Sequence, residues 1–460
     1  MIITSLKKVT WAASLALAAC SAPSLDEPAH PTRAKVAETS LPPVKSFRAA
    51  RGTAPTRSNG DIARDFLDLS FALESGRDIP LLTRFEAPIT VKLEGRQTTT
   101  LRNDLSQLLG RLRTEAGLDI RLINQGRANI TIQSVAKRDI RRALPHAACF
   151  VVPNVSSLAD YRRARGSVRT DWASLQKREQ LAIFLPYDTS PQDVRDCLHE
   201  ELAQALGPLN DLYRLDDSVF NDDNFHAVLT GFDMLVLRAY YDPALQNGMT
   251  RNQVAARLPS ILSRLNPQGD GRPSSQRSGT PRAWINAIQN ALGPTGNNAR
   301  RLGEATRAIQ IAQSQGWTDH RRGFSHFALA RLLQSQDGLT ANQHYRAADL
   351  YFGQSAPNGP HRSIVSTQLA AYELAQGKPR EALRIIDANI ETARRFENAV
   401  QLASLLMLRS EALATLGRLP EAQAARVDSL GWARYGFGPD WAVRAKLREV
   451  AMLNPNNRSF

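Results

Sequence analysis

The sequence predicts an α+β domain followed by an all-α domain of helical repeats. Before residue 265, segments that alternate like strands are mixed with segments of helical spacing. After residue 283 the apolar spacing is helical, and one segment recurs 40 residues later. A stretch rich in Pro, Gly and Ser lies between the two patterns. We therefore expect an α+β domain at residues 61–265, a linker at 266–282 and a repeat domain at 283–460.

The elements of the α+β domain follow from the periodicity of its apolar residues. Strict alternation predicts strands, whereas apolar residues three and four apart, such as Leu101, Leu105, Leu108 and Leu112, predict a helix. The expected elements are strands at residues 89–93, 120–123, 130–132 and 181–185, with a helix at 100–116 after the first of them.

A second helix begins with clear start signals. Ser190 suits the N-cap and Pro191 the first helical position. The helix is expected to end at Leu206, with Gly207 in a left-handed C-terminal cap.

The helical repeat is visible in two matching segments. Residues 377–382 read Gly-Lys-Pro-Arg-Glu-Ala, and residues 417–422 read Gly-Arg-Leu-Pro-Glu-Ala. In each segment the Gly is expected to follow one apolar helix and the Glu-Ala to open another, and Gly338 is expected to end an earlier helix. This period favours a tetratricopeptide-like solenoid, and an irregular helical bundle is the alternative.

The first twenty residues are typical of a bacterial lipoprotein signal peptide. Lys7 and Lys8 precede a short apolar run, and Leu17-Ala18-Ala19-Cys20 fits a lipobox. Cleavage would leave Cys20 as an acylated N-terminus carrying palmitate-type chains, on the periplasmic side and, because Ser21 follows, at the outer membrane. An ordinary secretory signal is the alternative. Residues 21–60 are rich in Pro and Ala and predict a disordered tether.

Two further cysteines remain in the mature chain. Because Cys149 and Cys197 make an even number in an oxidising compartment, we expect a disulfide, with two buried free thiols as the alternative.

The basic charge of the chain does not indicate nucleic acid. The net charge is +14, but an exported lipoprotein meets little nucleic acid, and the Arg residues are dispersed rather than clustered. A solvated basic surface and attraction to anionic lipids or acidic envelope polymers both remain open.

The most informative segment for function is residues 200–210. It resembles the metzincin zinc-protease signature HExxHxxGxxH, with Glu201 in the general-base position and Gly207 at the turn. The three histidine positions carry Glu200, Gln204 and Asn210. Glu200 and Gln204 share a helix face, but neutral amide oxygens are poor zinc ligands. We therefore expect no metal at these degenerate positions, and Glu201 would be catalytic only in an active enzyme.

The same helix also allows an interpretation in which its polar residues have no functional role. Leu198, Leu202 and Leu206 form an apolar stripe, and the three polar residues at 200, 201 and 204 would then be its solvated side. His199 is expected to be a surface or packing residue rather than a ligand.

Two downstream segments strengthen the resemblance. Ser218-Val219-Phe220-Asn221 is similar to the Met-turn below the zinc, with Phe220 in the Met position, and residues 233–241 are similar to the following matrixin helix. Together with Cys197 and the Asn-Asp pairs at 210 and 221, residues 60–250 resemble the bacterial family known as domain of unknown function 2927. The resemblance implies a metzincin-like α+β fold and brings no established activity.

These observations leave two principal functions. The first is a membrane-anchored envelope lipoprotein that acts as a protein-binding scaffold, with an inactive protease-like domain and no cofactor. Its partners would be envelope proteins or peptides bound by the repeats and the membrane bound by the lipid, with no nucleic acid. The second is a zinc-dependent peptidase or peptidoglycan hydrolase with an atypical site. A pure spacer is a third possibility.

Overall fold

The computed structural model describes residues 41–48, 51–275 and 277–457. The predicted signal peptide, Cys20 and the tether as far as residue 40 lie outside the described residues. Among the helices that are described, none is both long and apolar enough to cross a membrane.

A five-stranded sheet forms the centre of the first half of the chain. Its strands follow the order β2-β1-β3-β5-β4; the first four are parallel, and β4 pairs with β5 in the antiparallel direction. Every residue of β5 is buried, because helices cover both faces of the sheet. The four predicted strands are confirmed and β4 adds a fifth; the bounds are β1 Ile89–Gly95, β2 Ile120–Leu122, β3 Ile130–Val135, β4 Phe150–Pro153 and β5 Leu181–Pro186.

Eight helices accompany this sheet in the described residues. The two predicted helices are confirmed as α2 and α5, and α5 carries the protease-like segment. The bounds are α1 Asn59–Ser70, α2 Thr99–Thr114, α3 Lys137–Ala143, α4 Leu158–Ala164, α5 Pro191–Leu206, α6 Gly231–Tyr240, α7 Arg251–Ala255 and α8 Leu258–Leu265.

The second half of the described chain is helical, as predicted. The helices pack mainly as consecutive pairs, and the first members of successive pairs, α9, α11, α13 and α16, begin about 40 residues apart. The bounds are α9 Arg282–Leu292, α10 Asn298–Ser314, α11 His320–Leu333, α12 Gly338–Ser355, α13 Pro360–Ala375, α14 Pro379–Asp387, α15 Ile390–Arg395, α16 Ala399–Thr415, α17 Leu419–Gly436 and α18 Asp440–Ala451.

Glycines mark the turns between paired helices, although one was placed wrongly from the sequence. Gly377 and Gly417 have φ of +71° and +73°, a left-handed conformation that suits the end of a helix. Gly338, by contrast, begins α12 instead of ending a helix, because the side chain of Asp337 caps the N-terminus there and accepts from the Thr340 amide.

The last part of the predicted tether packs against the protein. Phe47 stacks on Trp432 of α17 with ring centroids 4.5 Å apart. Gly52 lies so close to the backbone of Gly231 that a side chain at either position would clash. Arg57 pairs with Asp65 of α1 at 2.7 Å. Residues 41–48 and 51–57 therefore form an arm that contacts both halves of the molecule, which differs from a free tether.

The predicted linker is also held against the α+β half. Asp61 of α1 accepts hydrogen bonds from the Ser274 hydroxyl at 2.6 Å and the Ser275 amide at 2.7 Å. Arg277 pairs with Asp216 at 2.8 Å. Carboxylates of the α+β half thus bind the polar groups of this segment, which has few apolar residues. The two halves belong to one compact unit, residues 41–460.

A buried charge network fixes α5 to the helical half. Arg195 of α5 is 1% exposed and donates to Asp104 of α2 at 2.7 Å and to Glu397, which precedes α16. Tyr435 of α17 donates to the other oxygen of Asp104 at 2.6 Å. The helix with the protease-like segment is thereby held by groups from three other parts of the chain.

Candidate functional site

Helix α5 is anchored at its start by the predicted cap and near its middle by the predicted disulfide. The Ser190 hydroxyl accepts from the Asp193 amide at 3.1 Å, and Pro191 occupies the first turn. Cys149 and Cys197 form a disulfide with their Cα atoms 6.0 Å apart. The bond joins the middle of α5 to the residue before β4, which confirms the predicted pairing.

The end of α5 is held by a residue that the sequence did not reveal. Arg178 is 3% exposed and donates to the carbonyl oxygens of Gln204, Ala205 and Gly207 at 2.6, 2.7 and 2.5 Å. A guanidinium at this position satisfies free carbonyl groups and complements the helix dipole. Arg178 lies in a polar stretch before β5, so no local pattern distinguishes it.

The conformation predicted for Gly207 is wrong. Its φ is −168°, an extended value, whereas the prediction placed it in the left-handed region. A Cβ atom here would lie 3.0 Å from the ring of Tyr240. The absence of a side chain at Gly207 therefore serves the close packing of α6 against the end of α5.

The side chains at the three degenerate ligand positions have different surroundings. Gln204 is buried and its amide donates to Glu74 at 3.3 Å, while Glu200 is partly buried one turn earlier. The amide of Asn210 is directed elsewhere and donates to the main-chain oxygen of Asp68, at the end of α1, at 2.9 Å. Within the described ranges no group of three or more His, Cys, Asp or Glu side chains is arranged to hold a metal ion.

Glu201, in the general-base position, is buried among acidic groups. It is 5% exposed, and its Oε2 atom has no hydrogen-bond partner. Burial, with the charges of Glu200 and Glu74, raises the pKa of Glu201 well above its usual value. A raised pKa favours the protonated form, in which the carboxyl group cannot accept a proton from water.

The alternative interpretation of α5, in which residues 200, 201 and 204 form its solvated side, is wrong. Glu201 and Gln204 are buried, as is His199, which is 1% exposed. The His199 Nδ1 atom accepts from the Leu229 amide at 3.1 Å, and burial lowers its pKa well below the ordinary value. His199 is therefore a neutral packing residue. Of the two roles predicted for it, surface or packing, the structure shows the second.

The site contains acidic residues that the signature does not include. We call the carboxyl groups of Glu74, Glu200, Glu201, Asp211 and Asp222 the acidic cluster. Burial and the charges of Glu74 and Asp222 raise the pKa of Glu200 to about 8, and burial with the same neighbours raises that of Asp211 well above its usual value. Sequence reasoning missed Glu74, which follows α1, because no spacing relates it to α5.

The cluster is bordered by the helical half of the molecule. The Tyr213 hydroxyl donates to Asp222 at 2.8 Å, and Tyr213 packs edge-on against Trp284 of α9 with centroids 5.0 Å apart. Gln289, also on α9, forms a side-chain hydrogen bond with Asp222. Helix α9 therefore forms one wall of the site, so the site includes residues of both halves of the molecule.

The segment similar to a Met-turn lies in the core beside α5. Phe220 is fully buried in the same apolar cluster as Leu202 and Leu206. The Ser218 hydroxyl and the Val219 amide donate to Asp233 of α6 at 2.5 and 3.2 Å. These bonds fix the turn against α6.

A comparison with protein families gives one match. Residues 59–260 match the family described as "Protein of unknown function (DUF2927)". The match extends from the start of α1 into α8, and it supports the resemblance drawn from the motif residues of this stretch. A search of the curated proteins gives no match.

Proposed function

We propose that the protein is a membrane-anchored lipoprotein of the bacterial envelope that binds other proteins and carries an inactive metzincin-like domain. The observation that carries the proposal is the state of the three ligand positions. Gln204 is engaged with Glu74 and Asn210 with the end of α1. With no imidazole at any of the three, a zinc ion would lack the ligands it prefers.

The electrostatics of Glu201 also argue against hydrolysis. A general base must be ionised at the working pH and lie near the water it activates. The raised pKa of Glu201 favours its protonated form, and a nearby cation would act against this shift. An inactive domain that retains its frame is thus the simplest account of this site.

Binding of other proteins is assigned to the helical half. Its helix pairs repeat about every 40 residues, somewhat longer than the usual tetratricopeptide unit of about 34, and arrays of such pairs present extended binding surfaces. A groove of about 500 Å³ lies over α12 and α13, lined in part by Arg346, Leu350, Arg362 and Leu369. Leu350 is 57% exposed there, so an apolar contact is available to a partner.

Site-specific photo-crosslinking tests this assignment in cells. A photoreactive residue at Leu350 should give discrete adducts with envelope proteins. The matched control is the same residue at Leu419 of α17, which is 64% exposed and does not line the groove. Identical adduct patterns at the two positions, or none at either, would contradict binding through the groove.

The lipid anchor is tested separately. A Cys20→Ala protein should move from the membrane fraction to the soluble fraction, because the acyl chains supply the membrane affinity. If this variant remains wholly with the membrane, the anchor proposal fails, whatever the result of crosslinking.

A metal-dependent peptidase or peptidoglycan hydrolase is the second candidate. The observation that favours it is Glu201, which keeps the general-base position and has an oxygen with no partner. A true enzyme would show hydrolysis that is lost both on chelation and in Glu201→Gln. We expect neither loss, because we expect no such activity in the parent protein.

A further inference from the structure

Arginine side chains pair with acidic residues all around the acidic cluster, but not with the cluster itself. Asp65 is paired with Arg57 and Arg214, and Asp216 is paired with Arg277. Within the described part of the chain, the five carboxyl groups of the cluster form no ion pair with Arg or Lys. The charges that act most strongly on them are those of other carboxyl groups. In a chain of net charge +14, this concentration of uncompensated acid is exceptional.

Two buried oxygens of the cluster also lack hydrogen-bond partners. They are Glu201 Oε2 and Asp211 Oδ1, and Glu201 is only 5% exposed. Buried polar atoms are nearly always paired, and leaving one unpaired destabilises the fold. These atoms are therefore positioned to accept hydrogen bonds from a group that enters the cluster.

The cluster is open on one side. Glu74 and Asp222 are exposed, Glu200 and Asp211 are partly buried, and Glu201 is the deepest of the five. Arg282 of α9 reaches the rim but donates to the main-chain oxygen of Glu74 at 3.2 Å and not to its carboxyl group. The exposed members of the cluster are thus accessible from solvent, and its other acceptors are more buried.

We infer that the acidic cluster binds the positively charged end of an arginine or lysine side chain presented by a protein partner. The inference rests on the proposed function, since it assumes that this protein binds others. A guanidinium offers five N–H donors in a planar fork and suits acceptors that come from separate elements. A metal ion needs ligands that converge on one point, and the described side chains offer no such group.

Calorimetry on the full mature chain carrying Cys20→Ala tests the inference. The probe is a capped pentapeptide with one central Arg among Ala residues, and its matched control carries citrulline, the neutral isostere of Arg. The Arg peptide should bind about tenfold or more tightly than the citrulline peptide, because a hydrogen bond to a charged group contributes about 1.5–3 kcal/mol. Its binding should weaken as salt is raised.

Two variants locate the binding. Glu200→Gln and Glu201→Gln keep the side-chain shape and each should weaken the Arg peptide about tenfold, with little effect on citrulline. The control is Glu391→Gln on α15, which makes the same substitution at an exposed position of the helical half and should leave affinity unchanged. Binding should also release protons, seen as heats that vary with the ionisation enthalpy of the buffer.

The other outcomes overturn the inference. Equal affinity for the Arg and citrulline peptides, or equal effects of Glu391→Gln and Glu201→Gln, would exclude recognition of the charge by the cluster. Spermidine binding without peptide binding would identify a free organic cation instead, and stoichiometric binding of Ca²⁺ or Zn²⁺ would identify a metal site. If the peptide fails but groove crosslinks persist, the proposed function stands without this inference.

Discussion

The two ends of helix α5 differ in whether their charged side chains are paired with groups of opposite charge. Near its start, Arg195 lies between Asp104 and Glu397 with Tyr435 alongside, so each buried charge has a partner. Near its end, Glu200 and Glu201 face other carboxyl groups. The first arrangement holds the two halves of the molecule together, whereas the second destabilises the fold. Carboxyl groups that destabilise the fold and have no cationic partner in the described structure are best understood as a site for a ligand.

Breaking the compensated end should have the largest effect. Arg195→Met keeps the volume but removes the buried cation that pairs with Asp104 and Glu397, and it should destabilise the protein by about 3–5 kcal/mol. Denaturant unfolding monitored by circular dichroism measures the loss. Arg418→Met, which removes an exposed partner of Glu421, is the control and should change little. An Arg195→Met protein as stable as this control would contradict the structural role of the network.

The disulfide fastens the middle of α5, between the two ends. Replacing both Cys149 and Cys197 with Ala opens a closed loop with a sequence separation of 48 residues and should cost about 2–5 kcal/mol. Thermal unfolding with and without reductant measures this, and the double variant should be insensitive to the reductant. Two reactive thiols in the denatured, unreduced parent would show that the bond does not form.

The uncompensated end should respond in the opposite direction. The folded state keeps the Glu200 proton until the pH reaches about 8, whereas the unfolded chain loses it near its ordinary value of 4.5. The unfolded state therefore binds fewer protons in this window, and stability falls as pH rises through it. Glu200→Gln removes the penalty and should stabilise the protein at pH 9 by about 2 kcal/mol, a figure discounted for the partial exposure of Glu200.

The measurement is the difference in unfolding free energy between parent and variant from pH 4.5 to 9. Other titrating groups, such as His320, whose pKa is lowered to about 4 by burial, largely cancel in this difference. Glu391→Gln again serves as the control. If this difference does not grow with pH, the folded state does not disfavour the charged form of Glu200, and the prediction is wrong.

The smallest effect is expected at Asn210. Asn210→Ala removes one hydrogen bond to the end of α1 and should cost about 1 kcal/mol without altering metal content. Urea unfolding and metal analysis of the same preparation check both statements. A change in bound metal would place Asn210 in a ligand set that its contact with Asp68 argues against.

Local patterns in the sequence predicted the elements but not their assembly. The N-cap of α5, four of the five strands and the two matching helix pairs each depend on residues a few positions apart, and these were found. The Cys149–Cys197 bond was predicted from an even count of cysteines in an oxidising compartment. The position of Gly207 was predicted correctly, but its conformation depends on Tyr240, which packs from a distant helix.

The candidate site shows the same limit more sharply. Glu200, Glu201 and Gln204 were found through a signature, but Glu74 lies 130 positions away from the amide that it accepts from. The direction of Asn210 depends on the end of α1, and Gln289 belongs to the other half of the chain. The composition of the arm at residues 41–48 and 51–57 predicts a tether, because its contacts with the folded chain are likewise long-range and leave no local pattern.

Zinc content tests the central claim most directly. The parent and the variant Glu200→His/Gln204→His/Asn210→His are purified identically, incubated with zinc, passed through a desalting column and assayed by mass spectrometry. We expect the parent to retain no zinc, because its acidic cluster offers no convergent ligands, and the triple variant to retain more than the parent as imidazoles return to a preserved frame. One tightly held zinc per parent chain would contradict the account and establish a metal site at the end of α5.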